Sequence, residues 1–289
     1  MTISCKLMGG LGNQLFQIFA TIAYGLDTNH TVVFPYTDFV IYGRRTYWRN
    51  FLNHLAIMTT ANPDHGLQIC DLDAFYTLNE QEELHYHPLP RPSLSTTDVS
   101  LYGYFQSPKY FEHHKDTIFE MIHLEDQRTE IRNAYHYFDN LDEPVISMHF
   151  RLGDYKNSQY HNVLDAAYYR DALERMWLLH NAPNHMRILY FCEQEDNEDV
   201  QQKINSFTMN FPNFKFVKVD DRIEDWRQML LMSLCDSHII ANSTFSWWGA
   251  YMNPSITKNV IYPKQWFGPA LARINMETSD LFPAYWISL

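Results

Sequence analysis

Between residues 144 and 262 short apolar runs alternate with amphipathic stretches, and this alternation restricts the chain more than any other feature does. The runs at 145–150, 187–192, 215–219, 238–241 and 259–262 have strand length and few charges. Helical spacing fills the gaps at 166–180, 197–207, 225–235 and 245–253. In the first of these, Tyr169, Leu173, Met176, Trp177 and His180 share one side, and Asp165 stands where an N-cap belongs. Strands separated by helices pair in parallel, because each crossover helix carries the chain back to the edge where the preceding strand began. The expectation is a doubly wound α/β sheet that holds ligands outside the carboxyl ends of its strands.

The N-terminal end opens with a similar unit. A strand at 3–8 leads into a glycine loop and a helix from about Asn13. There Leu15, Ile18, Phe19, Ile22, Ala23 and Leu26 recur at helical spacing, and a second strand follows at 31–36. From 37 to 142 the alternation is poor. Helices are expected at 110–124 and 127–140, but no topology follows. The change of pattern divides the chain into domains 1–143 and 144–289.

With 289 residues the chain can bury a full core without disulfide or metal staples. Lys and Arg number 22 against 34 Asp and Glu, a net charge of −12 with no basic run, which argues against nucleic acid as a partner. An acidic chain that binds a phosphorylated ligand must build positive potential locally, from single Arg residues and helix N-termini. Cys5, Cys70, Cys192 and Cys235 show no paired metal spacing and read as buried, reduced thiols. No apolar stretch approaches ~20 residues, so no transmembrane segment is expected. Residues 2–8 run directly into a strand without a basic-then-apolar leader, and the expected location is cytoplasmic.

Three segments sit where expected strands end. Gly9-Gly10-Leu11-Gly12-Asn13-Gln14 nearly matches a dinucleotide fingerprint, but Leu15 stands where the third glycine belongs, and no acidic residue ends the next strand. It is either a tight strand-to-helix turn or a loop whose N–H groups and Asn13 amide approach an oxygen-rich ligand. In His149-Phe150-Arg151-Leu152-Gly153-Asp154-Tyr155, period-two geometry puts His149 and Arg151 on one side. Arg151 can fork two hydrogen bonds to a diphosphate at any working pH. Asp154 either holds Arg151 by a salt bridge or touches an acceptor; His149 contacts a base or sugar, or is a satisfied core histidine. In Asn242-Ser243-Thr244-Phe245-Ser246-Trp247-Trp248-Gly249, the hydroxyls cap a helix or deliver donors to a phosphate, while the tryptophans pack.

Elsewhere, Asp225 near a helix start either accepts from a purine N–H pair or simply favours the helix dipole. Asp71-Leu72-Asp73 is a pattern short enough to recur by chance. His85-Tyr86-His87 and His113-His114 lack a complete ligand set within the sequence and read as surface histidines.

Together with Gly103-Tyr104-Phe105-Gln106-Ser107-Pro108-Lys109-Tyr110-Phe111 and the block that starts at Asp225-Trp226, these segments resemble glycosyltransferase family 11, the α-1,2-fucosyltransferases. The resemblance implies a GT-B fold, two Rossmann-like domains facing a cleft. It also implies inverting transfer of L-fucose from GDP-fucose to the 2-hydroxyl of a galactoside, with no cofactor and no metal. Its partners would be the nucleotide sugar and a glycan acceptor. The N-terminal domain would shape the acceptor side and the C-terminal domain would hold the nucleotide. By motif position, Arg151 would hold the β-phosphate and His149 would lie near the nucleoside. Ser243, Thr244 and Ser246 would serve the phosphates and Asp225 guanine, with Asn242 and Phe245 also counted as substrate-binding. Asn13 would serve the fucosyl–phosphate region, with Gly10 and Gly12 counted as substrate-binding. The sequence identifies no general base; apart from the resemblance, Asp154 is the candidate, ahead of His161 and Glu193. Two departures stand out: Leu152 replaces a second Arg, leaving Arg151 as the sole motif cation, and Cys192-Glu193-Gln194-Glu195 replaces Ser-Asp-Asp. Another nucleotide sugar, or a non-catalytic glycan-binding role, remain the alternatives.

Overall fold

The computed structural model describes every residue except 82–84, 91–97, 140–141 and 273–277. The chain divides into two compact units, Met1–Asp126 with Met276–Pro283, and Gln127–Asn275 with Ala284–Leu289.

In the first unit, β1 (Thr2–Cys5) leads through the glycine loop into α1 (Leu11–Thr28) and β2 (Thr31–Val32). There follow α2 (Ile69–Leu72), β3 (Tyr76–Asn79), β4 (Val99–Tyr102) and α3 (Lys115–Met121). The strands form a parallel sheet in the order β2-β1-β4-β3. Helix α1 is buried on most sides from Leu11 to Gly25. Phe16 and Phe19 pack on Phe111, with ring centroids 6.0 and 5.5 Å apart. The helix expected at 110–124 is shorter, because Ser107 and Pro108 start a 3-10 turn and a second such turn precedes α3. His123, in a left-handed conformation, separates α3 from α4 (Leu124–Ala134). That second helix begins earlier and ends earlier than the 127–140 expected, and residue 140 lies outside the described residues. Cys70 is exposed, contrary to the reading of all four thiols as buried, because α2 buries only Leu72.

The second unit is the doubly wound sheet. It runs β5 (Val145–His149), α5 (Ala166–Leu179), β6 (Met186–Phe191), α6 (Asn197–Asn210), β7 (Phe214–Lys218) and α7 (Asp225–Ser233). It continues through β8 (Ser237–Ile239), α8 (Thr244–Tyr251), β9 (Val260–Tyr262), α9 (Pro269–Ala272) and β10 (Ile287–Ser288). Asp165 caps α5 as expected, accepting from Tyr168 N–H at 3.0 Å. The strand order is β10-β9-β8-β5-β6-β7, all parallel. In chain order within the unit this is the Rossmann arrangement, with the direction of winding reversing between β5 and β8. All five residues of β5 are buried, as expected of a strand covered on both faces. Ile146, Met148, Ile188 and Ile239 lie in its core.

Candidate active site

The reversal of winding decides where a ligand can sit. The chain leaves β5 toward β6 and leaves β8 toward β9, so the loops after these adjacent strands diverge and open a crevice at their carboxyl ends. Those loops are 150–157 and 240–244, two of the three segments singled out in the sequence.

They are joined directly. Tyr155 O–H donates to the Asn242 carbonyl at 3.1 Å, and the His149 and Phe245 rings lie 5.5 Å apart. Asn242 is buried; its amide N–H2 donates to the carbonyls of Asn162 (2.9 Å) and Trp266 (3.0 Å), while its Oδ1 has no hydrogen-bond partner. His149 is likewise buried with an unpartnered Nδ1. Burial, with Arg151 and Lys218 adding repulsion, lowers its pKa to about 3, so the ring is neutral at neutral pH. His238 provides the contrast. It is equally buried, but its Nδ1 bonds Ser147 and its Nε2 bonds Asn253, as in a satisfied core histidine. Two orphaned polar atoms at one sheet edge are the condition a polar ligand would relieve.

Arg151 supplies the positive charge. One arm of its guanidinium donates to Glu193 and the other to Asp154 at 2.7 Å, and the group lies over the Tyr155 ring at 5.1 Å. Burial works against the charge, but the Glu193 and Asp154 carboxylates more than offset it and raise the pKa. The Asp154 contact is the salt bridge considered from the sequence. The loop is pinned from beneath: buried Asp196 accepts from Gly153 N–H and from Lys156, both at 2.7 Å. Gly153 has φ +26°, and a Cβ there would lie 2.2 Å from Glu193 Oε2, so the glycine makes room for the carboxylate that holds Arg151.

At α8, Ser243 Oγ accepts from Phe245 N–H at 3.3 Å, the N-cap bond. The Ser246 hydroxyl is buried and donates back to the carbonyls of Ser243 and Ala241 at 3.3 and 3.5 Å. Ser246 therefore presents its backbone rather than its hydroxyl at the helix start, where first-turn N–H groups have no intrahelical acceptor. Thr244 and Phe245 are half-buried and border the crevice. Trp247 and Trp248 are fully buried and pack, as expected.

Two more groups stand at the same sheet edge. Asp225 is exposed at the first residue of α7 and accepts from Trp226 N–H at 2.7 Å. Lys218 ends β7 and donates to the Val219 carbonyl at 3.1 Å and to Asp221. The sequence reading passed over Lys218, counting Arg151 as the sole motif cation; its only signal was its place at a strand's carboxyl end. His161 stacks on Tyr155 with centroids 4.3 Å apart.

Gly10, Gly12 and Asn13 belong to the first unit, at the carboxyl end of β1. Gly9 has φ +76°, and a Cβ there would strike the Asn13 amide at 2.5 Å. Buried Gln17 holds the loop by accepting from Met8 N–H and donating to the Met8 and Asn13 carbonyls, at 2.9 to 3.0 Å. Gln106, in the loop after neighbouring β4, donates to Asn13 Oδ1 at 3.0 Å. Asp71 caps its own short helix by accepting from Gln68 N–H at 2.6 Å, so the Asp71–Asp73 pattern has a local structural use. Among the described residues no helix is long and apolar enough to cross a membrane.

Comparison with known proteins agrees with this architecture. A glycosyl transferase family 9 structure from Veillonella parvula has the same fold at a TM-score of 0.50 and 11% identity, covering 100% of this chain and 85% of that one. The two parallel α/β sheets are those of the GT-B class. The O-antigen biosynthesis glycosyltransferase WbnK of Escherichia coli is 29% identical over 99% of both chains. An alpha-1,2-colitosyltransferase of Escherichia coli is 24% identical, over 99% of this chain and 98% of the relative. A galactoside 2-alpha-L-fucosyltransferase of Caenorhabditis elegans is also 24% identical, over 97% of this chain and 77% of the relative. Residues 67–287 match the sequence profile of glycosyl transferase family 11. With that match over most of its length, the chain belongs to glycosyl transferase family 11.

Proposed function

We propose that this glycosyltransferase moves L-fucose from GDP-fucose to the 2-hydroxyl of a galactoside, forming an α-1,2 linkage with inversion. The observation that carries the reading is the meeting of the Arg151 loop with the start of α8 at the point where the winding reverses, beside the unpartnered His149 Nδ1 and Asn242 Oδ1. A galactoside 2-alpha-L-fucosyltransferase among the relatives supports the sugar transferred and the linkage.

In the reaction the acceptor oxygen bonds to the anomeric carbon from the face opposite GDP. The bond from that carbon to the β-phosphate oxygen breaks with its electron pair going to GDP, and the hydroxyl proton passes to solvent water on the acceptor side. Charge grows on the departing diphosphate while the ring becomes oxocarbenium-like. The Arg151 guanidinium and the N–H groups at the start of α8 are fixed before the charge develops, which favours the transition state over the ground state. Glu193 and Asp154 hold the fork in place; the diphosphate takes over hydrogen bonds that these carboxylates accept in its absence. His149 and Asn242 offer polar atoms to the nucleoside, and Asp225 accepts from guanine. We assign the acceptor side to the first unit, and the chemistry needs no metal.

A second donor has a specific observation in its favour, since one relative is named as an alpha-1,2-colitosyltransferase. Incubation with GDP-fucose, other GDP- and UDP-sugars and a panel of β-galactosides, read by mass spectrometry, tests the proposal. A deoxyhexose added only from GDP-fucose supports it; transfer from another nucleotide sugar alone, or none with any donor, overturns it.

A further inference from the structure

We infer that Asp27, His113 and His114 form a binding site for a divalent metal of zinc's coordination chemistry, a clip that ties the end of α1 to the segment before α3. His113 Nε2 lies 2.9 Å from Asp27 Oδ2, and His114 Nε2 lies 2.8 Å from Asp27 Oδ1. One ligand atom from each residue falls within a common 4.8 Å span. Across a tetrahedral zinc with bonds of about 2.0–2.1 Å, neighbouring ligand atoms are roughly 3.3 Å apart. The oxygen that binds the metal would then sit about half an ångström farther from the imidazole it now bonds, and the remaining pairs of ligand atoms, no more than 4.8 Å apart, would close by up to about 1.5 Å. These side chains have room to do so, being 27% to 49% exposed. Two imidazoles and a carboxylate suit zinc, nickel or copper rather than magnesium or calcium, with water completing the shell.

Two further features fit a cation. Asp27 lies in the last turn of an 18-residue helix whose last turn carries no basic residue, so its carboxylate sits at the negative pole of the helix dipole. A dication there offsets both charges. The ligands are also held in register by the core: Phe111 and Phe119 flank the histidines in sequence and pack on Phe19 of α1, with centroids 5.5 and 5.9 Å apart. The third ligand stands 86 residues before His113, which is why the histidine pair looked incomplete in the sequence.

The test is a zinc titration of metal-stripped protein against a chromophoric chelator, with thermal unfolding in parallel. One zinc per chain in the micromolar range or tighter, with a melting temperature that rises with zinc, is the expected result. Asp27→Ala and the double variant His113→Ala/His114→Ala should weaken binding by roughly tenfold or more and lose the thermal response. Should either variant unfold, Asp27→Asn keeps the shape while removing the charge, and should weaken binding likewise. No stoichiometric zinc, or affinity and thermal response unchanged in these variants, overturns the inference.

Discussion

In the proposed reaction, replacing Arg151 with alanine removes the cation assigned to the departing diphosphate and uncovers the two carboxylates that held it. Loss of a fixed donor to a developing oxyanion costs about 3–4 kcal/mol, or roughly 10²–10³ in kcat. Glu193 and Asp154 then stand next to the phosphates without their counter-ion. They are 40% and 54% exposed, so solvent screens them and each adds no more than about 1 kcal/mol of repulsion. The expected loss in kcat/KM is therefore on the order of 10³ or more. Restoring the parent's local net charge with Glu193→Gln in the Arg151→Ala background should return about 1 kcal/mol, roughly fivefold. Initial rates of transfer from GDP-fucose to a β-galactoside measure both steps, and circular dichroism checks the fold, which loses two partly exposed ion pairs and the contact with the Tyr155 ring. A folded Arg151→Ala protein within tenfold of the parent refutes the phosphate role. No gain from Glu193→Gln in that background refutes the counter-ion reasoning.

Acid should destabilise the protein well above the carboxylate range. His149 and His238 have folded pKa values lowered to about 3 by burial, so below an unfolded value of about 6.5 the unfolded chain binds more protons and stability falls with pH. At pH 5 each contributes a loss of about 2 kcal/mol, full stability being present above about pH 7; urea unfolding free energies unchanged between pH 7 and 5 would contradict this. Gly9→Ala forces a left-handed backbone on a residue with a Cβ and strikes the Asn13 amide, so a cost of about 1–2 kcal/mol should appear as a lower melting temperature. Gly249→Val puts a side chain where even a Cβ would lie 2.8 Å from Met232 Cβ, and should cost about 1–3 kcal/mol and weaken GDP binding in calorimetry by tilting α8. Transfer activity should persist in excess EDTA, and a complete loss restored by magnesium or manganese contradicts the metal-independent mechanism.

The second unit was legible because its signals are local. Each apolar run between 145 and 262 became a strand, and Asp165 capped the helix it was expected to cap. Strand β10 escaped because two residues, Ile287 and Ser288, carry no periodicity; only pairing with β9 makes them a strand. The stretch from 37 to 142 was opaque for a similar reason. Its strands β3 and β4 have four residues each, and a run of short 3-10 turns spreads the buried positions without a period. At the site, the motif positions were readable but their partners were not. Glu193 reaches Arg151 across 42 residues, and Tyr155 reaches Asn242 across 87. The reading of Ser246 as a hydroxyl donor met a competing local bond to its own helix. Lys218 had no motif to mark it.

The most direct test is a crystal structure of the protein grown with GDP. The β-phosphate should lie within hydrogen-bond distance of the Arg151 guanidinium and of N–H groups at the start of α8, with the base on the side of His149 and Asp225. Nucleotide bound elsewhere, with Arg151 still held only by Glu193 and Asp154, would contradict the assignment.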